Sequence, residues 1–239
     1  MNVAKRGKGP VGAMKRGHVT QTLLLGTVAA VGLGGAACAE FEPETPKNFD
    51  QTKVVSIVID PDDWTQAVLG EAYKQALTKD AGRLAVVHVR VGEKDSADSA
   101  SMLSTGRADL YISCTGRELK AHDAKAAAEL SKEYTTDEDR FGSNRGQWRD
   151  RTYKELMARL GNRVDATDPS NAMACKQDQE FLPQSIVPLY RMPVFNRSEL
   201  ATLNHVTARL AQIDFDELVS YAQSHGSAAT AVNDKLFDE

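Results

Sequence analysis

The chain has 239 residues, with 29 Lys plus Arg against 33 Asp plus Glu and a net charge of −4. With 41% hydrophobic and 26% charged residues it is neither disordered nor fibrous in composition. Its acidic balance argues against general nucleic-acid binding, and three cysteines exclude a disulfide-dense miniprotein. Residues 1–37 carry Lys5, Arg6, Lys8, Lys15 and Arg16 but no acid, which leaves 24 basic and 33 acidic residues for everything after.

The first segment reads as an address. A basic, polar stretch to residue 21 is followed by an apolar, Gly- and Ala-rich run from Leu23 to Cys38. That is the layout of a secretory signal, and it is short for a spanning helix of about 20 apolar residues. The alternative is an uncleaved N-terminal anchor. Gly35-Ala36-Ala37-Cys38 resembles the lipobox of bacterial lipoproteins, in which the cysteine is lipidated. Gly35 stands where a Leu is usual, and Ala37-Cys38-Ala39 also fits an ordinary A-x-A cleavage site. Residues 39–52, acidic with Pro43 and Pro46, read as an extended tether.

The domain then alternates strand and helix signals. Val54–Ile59 is a β-branched run of strand length, stopped by Asp60-Pro61-Asp62-Asp63, which also offers helix caps. Residues 64–78 have helical apolar spacing, 84–91 form a second strand, and 96–103 a short helix. A third strand covers 108–113, and an Ala-rich helix 117–132. This alternation predicts a parallel α/β sheet. Residues 133–150 read as a loop, 151–160 as a short helix and 164–184 as irregular. Ile186–Tyr190 is strand-like. Helices close the chain over 197–211, from Asp214 to Gly226, and over 228–237.

The chemistry of the common enzyme motifs is missing. There is no G-x-S-x-G elbow, P-loop, H-E-x-x-H or C-x-x-C, and Gly32-x-Gly34 lies in the signal segment. The histidines lack metal-ligand spacing. No enzyme activity, cofactor or metal is expected. Arg140, Arg145, Arg149, Arg151, Lys154, Arg159 and Arg163 form a basic stretch that reads as an anion or headgroup site, or as a solvated helix face. Cys114 and Cys175, 61 positions apart, read either as one disulfide closing a long loop or as two buried thiols.

Ile57–Leu77 (IVIDPDDWTQAVLGEAYKQAL), Thr105–Leu119 (TGRADLYISCTGREL), Thr167–Cys175 (TDPSNAMAC) and Phe181–Arg191 (FLPQSIVPLYR) follow one another in an order that resembles a known family. They are similar to the opening, strand-and-turn, asparagine and returning-strand segments of the glycine betaine/choline/carnitine-binding proteins of ABC osmoprotectant importers. The resemblance covers most of residues 53–239. It implies a periplasmic-binding-protein-like (type II) three-layer α/β sandwich, with a ligand held between two lobes by cation–π contacts. Ligands in such folds lie beyond the carboxyl ends of the strands. The candidate ligand-binding residues are therefore Trp64, Gln66, Tyr111 and Thr115, with Asn171 on the second lobe. Trp64 reads equally as a cage wall or as a hydrophobic staple on its own helix.

The chain departs from the family at Cys114, where an aromatic residue is lost, and in length. The division expected is a signal at 1–38, a tether at 39–52, a main lobe at 53–132 and 186–239, and a reduced second lobe or loop insertion at 133–185. Cys114 and Cys175 flank the shortened region, and with this family as frame they are expected to form a disulfide pinning it to the main lobe. The function implied is an exported, lipid-anchored binding protein that captures a quaternary amine for an ABC permease. The alternative is a degenerate lobe that contacts another envelope protein or sensor. Nucleic acid is not an expected partner.

Overall fold

In the computed structural model the described residues are 53–60, 63–90, 99–169, 175 and 182–237. The apolar, β-branched runs form the first three strands: β1 (Val55–Ile59), β2 (Ala85–Val89) and β3 (Leu110–Cys114). Between β1 and β2 lies α1 (Trp64–Lys79), opened by Asp63, whose carboxylate accepts the Thr65 and Gln66 N–H groups. The short α2 (Ser99–Ser104) precedes β3. Then follow α3 (Thr115–His122), α4 (Ala124–Thr136), α5 (Arg145–Met157), β4 (Val164–Ala166) and β5 (Ile186–Arg191). The chain continues through α6 (Arg197–Leu210), α7 (Phe215–His225), α8 (Ala228–Val232) and a π-helical turn, Asn233–Phe237. A full capping box, Asn196 with Glu199, opens α6, and Gly226 at φ 63° closes α7.

The five strands form one sheet in the order β2-β1-β3-β5-β4. β1 runs parallel to β2 and β3, as the alternating pattern predicts, but β5 is antiparallel to both β3 and β4. The sheet is therefore mixed, not wholly parallel. The cause is local. Thr115, just past the end of β3, donates its N–H to the Ser185 carbonyl, just before β5. The chain thus re-enters at the carboxyl edge and can only run back.

Helices cover both faces. The larger core packs Val55, Ile57, Ala85, Leu110 and Ile112 against α1, α6, α7 and α8. On the other face, α2 packs Met102 and Leu103 with Val58, Tyr111 and Leu189. Beside it, Leu119, Leu130 and Leu156 of α3, α4 and α5 meet Val187. Each buried leucine of this kind is worth about 1.5–3 kcal/mol. Within the larger core α1 and α6 are also joined by a polar contact, Tyr73 Oη to Thr207 Oγ1 at 2.8 Å.

Three stretches differ from their expected structure. The helix expected over 117–132 breaks at Asp123, which ends α3 and caps α4 by accepting the Ala126 N–H. Within the 133–150 loop, α4 persists to Thr136 and α5 begins at Arg145. The stretch expected to be irregular supplies the edge strand β4. No described helix is long and apolar enough to cross a membrane.

Candidate functional site

Polar side chains collect where β1, β2 and β3 end. Asp60 follows β1 and Arg90 follows β2, and they form a buried ion pair with Nη2 and Oδ1 2.8 Å apart. Tyr111 of β3 donates its hydroxyl to Asp60 Oδ2 at 3.3 Å. Burial, and then the Asp60 and Glu118 carboxylates, push the Tyr111 phenol well above its ordinary range, so it stays a protonated donor.

A second group adjoins the first. Glu118 of α3 is 3% exposed and accepts the Ser113 hydroxyl of β3 at 2.6 Å and the Ser99 hydroxyl at the start of α2. His122 Nε2, one turn along α3, is 3.8 Å from the same carboxylate. Burial pushes the Glu118 carboxyl above the usual range, against the hydrogen bonds from Ser113 and Ser99 and the positive charge of His122 and Arg117. The network thus ties three elements together through one solvent-excluded acid.

The residues expected from the sequence take different places. Gln66 is buried at the start of α1 and donates Nε2 to the Ile112 carbonyl of β3 at 3.0 Å. Its Oε1 is buried without a hydrogen-bond partner among the described residues. Thr115 is buried and bridges to the returning chain: its Oγ1 accepts the Ser185 N–H and donates to the Pro183 carbonyl. Trp64 is half-buried and packs against the larger core, the staple-like placement, and the ring pairs among the described residues lie elsewhere. Asn171 and Cys38 lie outside the described residues. Cys114 and Cys175 are joined by a disulfide with their Cα atoms 5.8 Å apart. Gln184 caps α3 from a distance, its Oε1 accepting the Gly116 N–H at 2.8 Å.

Sequence reasoning missed Asp60, Arg90, Ser99, Ser113 and Glu118. The first two were findable, because each directly follows a strand and the carboxyl-end rule applies to them as much as to Gln66. The two serines and Glu118 carry no signal in a sequence. Three of the seven residues of the basic stretch are ion-paired: Arg151 meets Glu133 at 2.7 Å, Lys154 meets Asp150 at 2.6 Å, and Arg159 meets Asp123 at 2.9 Å and Glu155 at 2.6 Å. No group of three or more His, Cys, Asp or Glu suited to a metal is present among the described residues.

With this geometry in place, the chain can be set beside known proteins. No protein-family model matches it, and no curated protein does. Among solved structures it is similar to apo YehZ from Escherichia coli. The match is 18% identical, covers 50% of this chain and 36% of that one, and has a TM-score of 0.32. At that score the likeness says nothing of what this chain binds.

Chemically, the carboxyl-end cluster offers hydrogen bonds and charge. The hydroxyls of Ser99 and Ser113 both donate to the Glu118 carboxylate. Such a cluster can recognise or support a ligand.

Proposed function

We propose that the chain is an extracytoplasmic, membrane-tethered solute-binding protein of the glycine betaine/quaternary-amine ABC importer type. In this reading it is a periplasmic-binding-protein-like (type II) lobe with a truncated second lobe. Cys38 anchors it to the outer face of the cytoplasmic membrane, and an ABC permease or another envelope protein is its partner. The observation that carries the reading is Gln66. It sits directly after the strand-one loop, is buried against β3, and presents an acceptor oxygen that no described residue satisfies. Such an atom in a folded protein calls for a donor from water or a ligand. The segments quoted above for the osmoprotectant-binding family supply the solute class.

Calorimetry of the protein against glycine betaine, choline and carnitine tests this. Heat of binding is expected, and replacing Trp64 by Ala should weaken binding about fivefold or more if that ring walls the cage, a loss of at least about 1 kcal/mol. The absence of heat at millimolar ligand would sink solute capture.

A second reading has its own observation. Tyr111, Thr115, Ser99 and Ser113 all spend their hydroxyls on internal partners. That is the behaviour of a lobe that has lost solute binding and serves as a protein-protein interaction or sensory module. A folded protein silent in calorimetry toward all three solutes is the outcome this reading expects.

A further inference from the structure

The two ends of the sheet are finished in opposite ways. β4 has three residues and carries Asp165, the short, charged form that discourages strand addition. β2 has five residues, AVVHV, with Leu84 before it, and no charged side chain from 84 to 89. Its outer edge is unpaired among the described residues. Leu84 is 63% exposed, Val86 44%, Val89 57% and the adjoining Val54 41%. Apart from Phe141 and Met192, these are the exposed large hydrophobic residues of the described chain.

The backbone phase of β2 follows from its neighbour. Val55 N–H bonds to the Leu84 carbonyl and Arg90 N–H to the Ile59 carbonyl. Even-numbered residues of β2 therefore face β1, and the N–H and C=O groups of Ala85, Val87 and Val89 point outward. Those positions are symmetric about Val87. Laid antiparallel on itself across a two-fold axis, β2 pairs Val87 with Val87 of a second copy and Ala85 with Val89 of that copy. Each pair exchanges hydrogen bonds both ways. Val86 then meets His88 of the second copy on the face away from α1, and no like charges come together.

We propose that this protein self-associates through β2, two copies joining their sheets edge to edge about a two-fold axis at Val87. The occupant argued for is a second copy because the strand is complementary to itself in both backbone phase and side chains, and its edge carries no charge to select or exclude a foreign strand.

The test is sedimentation velocity of the full chain in mild detergent over a wide concentration range. The wild type and the conservative variant Val86→Thr should show a reversible monomer–dimer equilibrium. Val86→Lys, which occurs twice per dimer, should weaken it about tenfold. Far-UV circular dichroism verifies that each variant folds. Hydrogen exchange of wild-type β2 amides needs no variant: Ala85, Val87 and Val89 should gain protection as concentration rises. A monomer at every concentration would overturn the proposal, as would a Val86→Lys dimer of undiminished strength. Protection of these amides that does not change on dilution would also overturn it, since the edge would then be covered by the same chain.

Discussion

Glu118 carries a pH dependence that can be read from its surroundings. It is buried on α3, and two serine hydroxyls and His122 face it from β3, α2 and its own helix. Burial raises its carboxyl in the folded protein above the ordinary value of 4.5. A raised folded value means that stability is greatest while both states are protonated and falls as pH rises from about 4.5 through the folded value. Glu118→Gln keeps the size and one acceptor but cannot ionise. Thermal unfolding between acid and neutral pH should show the wild type losing stability along that rise and the variant losing less. Parallel curves would show that Glu118 is ionised without penalty. Such an effect is not legible in a sequence. Ser99, Ser113 and Glu118 are common surface residue types, and only the turn of α3 back over β3 buries them.

At the scale of elements, α1 and β1 were legible because their apolar spacing and the Asp63 cap agree with each other. Strand direction was not. An apolar strand reads the same in both directions, so nothing in Ile186–Arg191 announces that β5 runs backwards. β4 was missed because three residues, one of them Asp165, give no period to detect. A glycine inside α1 explains how closely that helix lies on the sheet. A Cβ on Gly70 would stand 2.6 Å from Ile59 Cγ2 and 3.4 Å from Val87 Cγ1. Overpacking of this sort costs about 1–3 kcal/mol. Alanine recovers about 1 kcal/mol of helix propensity. Gly70→Ala should therefore destabilise by up to about 2 kcal/mol in urea unfolding, and a stabilised variant would show that β1 and β2 yield freely.

For the molecule as a whole, the disulfide holds Cys175, a residue of the 133–185 stretch, against the end of β3. The bond closes a loop of 61 positions and constrains the unfolded chain. Replacing both cysteines by serine, or reducing the protein, should cost about 2–4 kcal/mol in chemical denaturation. An unchanged midpoint would mean that the region is held by packing alone. The order of the sheet has a different bearing, on the timing of folding. β5 sits between β3 and β4, yet it is the last strand to leave the ribosome. Until residue 191 has emerged, β3 has only β1 beside it and β4 has nothing to pair with. Such late, long-range pairing slows folding and prolongs the exposed, unassembled state. Chains ended before Ile186 should be digested by a protease at concentrations the whole chain survives. A ribosome therefore carries an open, half-built sheet through most of synthesis, and the sheet is completed only when residues 186–191, in the final quarter of the chain, are available.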